Sequence, residues 1–200
     1  TGYADAVFDS LLHYEYCHYL FDSKHPVNVN DDDHPDRLLI KSALQSSDRR
    51  VQENKSLNIG FILGVFLWPQ HRRNLISHQD GGNRLNQVLY ESITQTIREQ
   101  RVYLNVSKRV SSMMKSMWLL QYNLERRRPK RVLSLLRQRY YRAAFDLLEL
   151  RAEQDASLKE IAQWWHVFYL ADEEEQQLMI SKLGGDQKKR KRRRTNGVKK

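Results

Sequence analysis

Hydrophobic positions along this chain recur at intervals of three and four residues, and no segment shows the sustained alternation that a half-buried strand requires. This spacing is typical of amphipathic helices. Pro35, flanked by acidic residues, suits the first turn of a second helix. A first helix is predicted to end near Phe21, and its apolar side consists of Phe8, Leu12, Tyr16, Tyr19 and Leu20. The pattern predicts an all-α fold, a multi-helix bundle with almost no sheet.

The hydrophobic pattern in the middle of the chain predicts three more helices. Residues 57–68 are apolar on every side, so they are expected to form a buried helix that ends at Pro69. The next two helices are expected to pair as antiparallel neighbours, and their methionines to fill gaps between helices. The first carries Leu85, Leu89, Ile93 and Ile97, and the second carries Val106, Val110, Met113, Met114, Met117 and Leu124.

The C-terminal part predicts helices with clear start signals. Ser157 and Glu160 have the spacing of a capping box, and the acids at residues 172–175 favour the start of a last short helix that Gly184 and Gly185 would close. One apolar stripe holds Tyr141, Ala144, Phe145, Leu148 and Ala152, and the next holds Leu158, Ile161, Ala162, Trp165, Phe168 and Tyr169. The predicted parts are a helical region at 1–80, a helical C-terminal domain at 81–185 and a disordered basic tail at 186–200.

Positive charge is concentrated in two segments. The formal net charge is +10, and residues 186–200 contain nine Lys or Arg with one acid. Residues 124–142 contain eight Lys or Arg with one acid, Glu125, so the rest of the chain is net negative. Two separate basic segments on an ordinary scaffold indicate a polyanionic partner, and nucleic acid is the simplest one.

Several other classes of protein are disfavoured. A single cysteine, Cys17, rules out an internal disulfide framework and a Cys-based zinc site, and it fits a reducing cytosol. The longest apolar run, residues 59–68, is shorter than the roughly 20 residues that a membrane span needs. The chain begins at Thr1, directly in an amphipathic pattern, so we interpret it as a fragment of a longer protein.

A more specific signal lies in residues 141–153, YRAAFDLLELRAE, followed by AQWW at residues 162–165 and an arginine-rich tail. With the matches TGY at residues 1–3, FLW at residues 66–68 and Trp118 ahead of Arg126, this sequence resembles the C-terminal region of bacterial poly(A) polymerases. Pro129 departs from the family, where a glycine is expected. These enzymes are nucleotidyltransferases related to the tRNA CCA-adding enzymes.

The resemblance implies that the full-length protein adds adenylates from ATP to RNA 3′ ends with Mg²⁺, in the bacterial cytoplasm. Such tails promote RNA decay, so the RNA-degradation machinery is an implied partner. In this family an Asp-x-Asp pair after a Gly-Ser turn in the catalytic head holds the metals. No glycine here precedes a serine, and Asp31 and Asp33 lie in an Asn/Asp-rich loop. We expect the head that binds ATP and Mg²⁺ to be absent, with no catalytic or metal residues in this chain and no activity of the chain alone.

The two basic segments supply the candidate RNA-binding residues, which would hold single-stranded 3′ ends without reading sequence. The first group is Arg126, Arg127, Arg128, Lys130, Arg131, Arg137, Arg139 and Arg142, with Trp118, Tyr122 and Tyr140 as nearby aromatic candidates. The second is Lys188, Lys189, Arg190, Lys191, Arg192, Arg193 and Arg194.

Alternatives remain at this stage. The tail could be an RNA tether, a nuclear localisation signal or a solubilising end, and the second option would suit a non-enzymatic helical adaptor. His13, Cys17 and His18 make a poor metal set because no fourth ligand accompanies them. Trp164 and Trp165 could stack bases, but Trp165 lies on the apolar stripe and Trp164 beside it is expected to be half-buried, which favours core packing.

Overall fold

The computed structural model describes residues 2–21, 31–79 and 85–196, without the side chains of Gln79 and residues 185–196. All regular secondary structure in these residues is helical, which confirms the all-α class. The helices are α1 (Ala4–His13), α2 (Cys17–Leu20), α3 (Pro35–Gln52), α4 (Ile59–Phe66), α5 (Trp68–Gln79), α6 (Leu85–Gln100), α7 (Lys108–Arg126), α8 (Val132–Leu136), α9 (Tyr141–Gln154), α10 (Ala156–Leu170) and α11 (Glu173–Asn196).

The chain divides into two compact units, Thr1–Leu119 and Leu120–Lys200, and the division falls within α7. The domain boundary suggested from sequence, between residues 80 and 81, lies inside the first unit. The helices on either side of it, α5 and α6, pack together.

In the first unit, two glycines of α4 lie against the side chains of α7. A Cβ on Gly60 would lie 2.9 Å from the sulfur of Met113, and one on Gly64 would clash with the end of Met117. The Trp118 indole donates a 2.9 Å hydrogen bond to the carbonyl of Gly64. Met113, Met114 and Met117 are buried, which confirms their predicted role as gap-fillers.

The first predicted helix is interrupted. Glu15 adopts a φ of +59°, and the amide of Tyr16 bonds back to the carbonyl of Leu11, as in a Schellman helix end. The break moves Tyr16 and Tyr19 onto the surface, so their assignment to the apolar side was wrong. Nothing in the spacing signals this end, because the left-handed residue is a glutamate instead of a glycine.

The prediction that Pro69 ends a helix was also wrong. Pro69 is the second residue of α5, where its missing N–H costs nothing because the first amides of a helix have no intrahelical partner. The helix before it, α4, is only partly buried, since Ile59 is exposed.

The expected antiparallel pair of α6 and α7 is replaced by a pair of α5 and α6. Polar groups join these two helices: Asn74 donates hydrogen bonds of 3.0 Å to the Thr96 hydroxyl and 2.9 Å to the Glu99 carboxylate. The sequence pattern did not identify α5 as a helix, so this pairing was missed.

In the second unit, α9 and α10 form the main helix pair, and all predicted core positions of α9 are buried. The side chain of Asp155 caps α10 by accepting from the Ser157 amide at 2.9 Å, so the predicted Ser157 capping box was wrong by two residues. The start of α11 is as predicted, since Asp172 accepts from the Glu175 amide at 2.9 Å. That helix continues past Gly184, which keeps a helical φ.

Trp165 links α10 to the end of α7. Its buried indole donates a 2.9 Å hydrogen bond to the carbonyl of Leu124, one of the last four carbonyls of α7 and therefore without an amide partner in that helix. Trp164 beside it is half-buried and stacks on Phe168. The prediction of core packing is confirmed for Trp165, and Trp164 is half-buried as expected.

We expect Trp165→Phe to lower the free energy of unfolding by about 2 kcal/mol or more, because it leaves the Leu124 carbonyl unsatisfied and opens a small cavity. Trp164→Phe should cost about 1 kcal/mol or less, since that ring is half-buried. Urea denaturation followed by circular dichroism measures both values. Equal costs for the two variants would contradict this role of the Trp165 indole.

Candidate nucleic-acid interface

The first basic group surrounds the short helix α8. Val132 and Leu135 are buried and anchor α8 to the second unit, so the turns on either side of it face outward. Arg126 is the last residue of α7, Arg142 lies in the first turn of α9, and the other six lie in the two turns: Arg127, Arg128, Lys130 and Arg131 before α8, and Arg137 and Arg139 after it.

Six of these cations are exposed and form no ion pair with the residues that the structure describes. We call them the α8 cations: Arg126, Arg128, Lys130, Arg131, Arg137 and Arg139. Glu125, the one acid of this segment, is bound instead by Arg151 of α9, with 2.7 Å between the guanidinium nitrogen and the carboxylate. The segment therefore presents positive charge that no nearby described carboxylate neutralises.

Arg127 differs from its neighbours. Its side chain is only 18% exposed, forms a 3.1 Å ion pair with Glu160 and lies over the Trp164 ring at 5.8 Å. Its backbone φ of +41° is the left-handed value that turns the chain out of α7. The structure thus places this sequence-predicted RNA-binding residue in the packing of the turn.

Arg142 is the second cation with an internal partner. It pairs with Asp146 one helical turn away at 2.8 Å, and its side chain remains 63% exposed. Its guanidinium lies 5.9 Å from the ring of Tyr169 on α10. Tyr169 was predicted to be on the apolar side, but it is 51% exposed. The pattern of α10 alone could not reveal this contact, because it depends on how α9 and α10 pack.

The three aromatic candidates have different surroundings. Tyr140 is half-buried, with the guanidinium of Arg139 at 5.2 Å from its ring. Tyr122 is half-buried on α7. Trp118 is buried in the first unit, parallel to the His71 ring at 5.0 Å, so the suggestion that it could stack bases was wrong.

The second basic group lies outside the described side chains. The backbone of α11 extends to Asn196. The tail residues Lys188, Lys189, Arg190, Lys191, Arg192, Arg193 and Arg194 remain predicted RNA-binding residues.

The remaining sequence candidates lie in the first unit. Asp31 accepts a 3.1 Å hydrogen bond from the Asp33 amide in a turn before α3, so this Asp-x-Asp pair is on no strand. Cys17 is buried, and burial raises the pKa of its thiol. Within residues 2–21, 31–79 and 85–184, no three His, Cys, Asp or Glu side chains are arranged to hold a metal ion. In the same residues no helix is long and apolar enough to cross a membrane.

The second unit and the end of the first match a known family. Residues 81–198, more than half of the chain, match the model of the polymerase A arginine-rich C-terminus. The chain belongs to this family. The poly(A) polymerase resemblance drawn from residues 141–153 and 162–165 is therefore confirmed.

Individual proteins that resemble this chain have the same family relationship. Poly(A) polymerase I of Escherichia coli O157:H7 is 27% identical over 174 residues, which is 86% of this chain and 37% of the relative. The enzyme of that name from Salmonella typhi is 30% identical over 65% of this chain and 29% of its own length, and that from Haemophilus influenzae is 26% identical over 71% and 32%. The chain spans about a third of the length of these relatives.

The geometry of Arg127 yields a test of its structural role. We expect Arg127→Ala to lower the free energy of unfolding by about 1–2 kcal/mol, because it removes the packing on Trp164 together with the ion pair. Arg128→Ala is the matched control and should change it by less than about 0.5 kcal/mol, since that side chain is exposed. Chemical denaturation measures both, and equal effects would refute the assignment.

Proposed function

We propose that this chain is the RNA-binding part of a bacterial polynucleotide adenylyltransferase, and that it holds single-stranded RNA 3′ ends for the catalytic part of the same protein. The observation that carries the proposal is the group of α8 cations, six exposed positive side chains without a described carboxylate partner. Membership in the arginine-rich family supports it.

The cations act on the sugar-phosphate backbone. Each phosphate that a Lys or Arg neutralises releases condensed counterions, so binding is favoured by entropy and weakens as salt rises. The α8 cations lie at the end of α7 and in the two turns on either side of α8, so several guanidiniums can contact successive phosphates of one strand. This mode reads no base sequence, which suits an enzyme part that receives many different RNA 3′ ends.

Catalysis belongs to the full-length protein in this proposal. ATP and Mg²⁺ are bound by a catalytic head with the family's paired carboxylates, and the fragment alone is inactive. The whole protein acts in the cytoplasm, where added poly(A) promotes RNA decay and brings the product to the RNA-degradation machinery. The relatives are named poly(A) polymerase I, which supports this reaction.

The competing hypothesis is a helical adaptor whose basic tail is a nuclear address. The relatives named above are from bacteria, which have no nucleus, and this argues against it. An adaptor would also have no need for cations clustered around α8.

Removal of charge from the α8 cations should weaken RNA binding. For the variant Arg128→Ala/Arg131→Ala/Arg137→Ala we expect a lower affinity for single-stranded RNA, and a plot of log K against log salt that is shallower by about 0.7 for each lost phosphate contact. Fluorescence anisotropy with a labelled oligonucleotide at several salt concentrations measures both quantities.

A matched control removes the same charge elsewhere. Arg101, Lys108 and Arg109 are exposed cations of the first unit, so their triple alanine variant has the same net charge as the test variant. It should keep most of the affinity and slope. If the two triple variants bind RNA equally, binding depends on net charge and the proposed interface is wrong.

The tail gives an independent test. Deletion of residues 186–200 should lower both the affinity and the salt slope, because it removes nine cations. A matched variant with the tail's Lys and Arg changed to Gln keeps the chain length and should behave like the deletion. An unchanged slope in both would mean that the tail does not contact phosphate.

A further inference from the structure

Tyr169 is the outermost of three nearly parallel aromatic rings in the second unit. The rings of Phe145 and Tyr141 lie 6.1 Å apart at 4°, and those of Tyr141 and Tyr169 lie 6.3 Å apart at 22°. Phe145 and Tyr141 are buried, whereas Tyr169 is half exposed. The two buried rings fix the orientation of the third, and a rigid aromatic ring on the surface is what a stacking partner needs.

The guanidinium of Arg142 lies over two rings of this stack. It is 5.9 Å from the Tyr169 ring and 5.6 Å from the Phe145 ring. Its ion pair with Asp146 is open to solvent on the arginine side, which is 63% exposed against 34% for the aspartate. Ion pairs near the surface contribute little free energy, so a phosphate can compete with the carboxylate for this guanidinium. Arginine provides both a planar surface for stacking and forked donors for a phosphate.

The start of α9 adds to the attraction for an anion. This helix begins without a side-chain cap and with no acid in its first turn, so the partial positive charge of its N-terminal amides is not neutralised there. Arg142 lies in that first turn, and Arg139 lies two residues before the helix begins. A phosphate next to Arg142 would be stabilised by the guanidinium and by the helix.

The hydroxyl of Tyr141 is the third observation. It is buried in the ring stack and has no hydrogen-bond partner among the described residues. Burial also raises the pKa of Tyr141, so the hydroxyl remains a neutral donor. Buried polar groups nearly always have a partner, and this hydroxyl gains one only if the side chains that cover it shift when a nucleotide binds at the ring stack.

We propose that the solvent-exposed part of the Tyr169 ring, next to the Arg142 guanidinium, is a base-stacking position for one nucleotide of a single-stranded RNA. The base lies on the tyrosine ring, and the adjoining phosphate contacts the Arg142 guanidinium and the start of α9. This inference rests on the proposed RNA-binding function and adds to it a contact with a base. Stacking tolerates every base because each has a π face, so the position adds affinity without strict sequence specificity.

The test compares Tyr169→Leu with Tyr169→Phe in the full 200-residue chain. The probes are a fluorescently labelled RNA single strand of about 12 nucleotides and an abasic sugar-phosphate strand of equal length. Tyr169→Leu should weaken binding of the RNA by about 5- to 100-fold and leave the salt slope unchanged, because it removes a ring and no charge. Tyr169→Phe should bind within about 2-fold of the unaltered chain, since it keeps the ring.

Two further measurements identify stacking as the cause. The abasic strand should bind the Tyr169→Leu variant and the unaltered chain equally, and an equal loss with this strand would overturn the proposal. The fluorescence of 2-aminopurine placed in the RNA should be quenched when the unaltered chain binds, and it should be quenched less by the Tyr169→Leu variant. Equal quenching by the two proteins would also overturn the proposal. Circular dichroism confirms that the variant is folded, which is expected because the side chain is half exposed.

Tyr90→Leu is the matched control. Tyr90 is exposed and has the Lys115 ammonium 5.9 Å from its ring, but it belongs to none of the ring pairs found among the described residues. An equal loss of affinity in this variant would show that any exposed tyrosine suffices, and the site would be wrong. If the unaltered chain shows no salt-dependent RNA binding, the proposed function itself fails. If it binds and Tyr169→Leu binds equally, only the stacking position fails.

Discussion

The second unit depends on how the end of α7 is satisfied. The carbonyl of Leu124 has no amide partner within its own helix, and the buried indole of Trp165 provides the missing donor at 2.9 Å. Gln121 of the same helix donates to the Ala144 carbonyl at 2.6 Å. These two bonds join α7 to α10 and α9, and they fix the point at which the chain leaves α7. The point where the chain leaves α7 in turn sets the positions of the cations in the first basic group.

The same connection decides which charges remain available. Arg151, on the buried side of α9, takes both the Glu125 carboxylate and the Gln121 side chain, at 2.7 and 2.8 Å. An arginine side chain that is only 14% exposed needs such partners, because an unpaired charge would be costly to desolvate. The core therefore uses the acid that would otherwise neutralise the α8 cations. Like charges that remain close together repel one another, and a bound polyanion is the simplest way to remove that repulsion.

The sequence predicted the buried positions well on α9, where a single face of the helix packs against the core. The stripe of α9 and the burial of Trp165 follow from spacing alone, because side chains three and four positions apart share a face. The predicted helix boundaries were wrong at three places where one residue has an unusual role. Glu15 adopts a left-handed conformation, Pro69 lies at a helix start and Asp155 caps α10. Local composition does not distinguish these outcomes, since tertiary contacts select among them.

The candidate site shows a different limit of sequence reasoning. Charge clustering identified the basic segment, but it treated its eight cations as equivalent. Two of them, Arg127 and Arg142, have partners on α10, and no pattern along the chain predicts contacts of this kind. The distinction has a functional consequence, because an arginine that is held by Trp164 stabilises the turn, whereas the exposed cations beside it can follow a flexible strand. A basic segment that is rigid at one residue and free at its neighbours can hold a polyanion without losing its own fold.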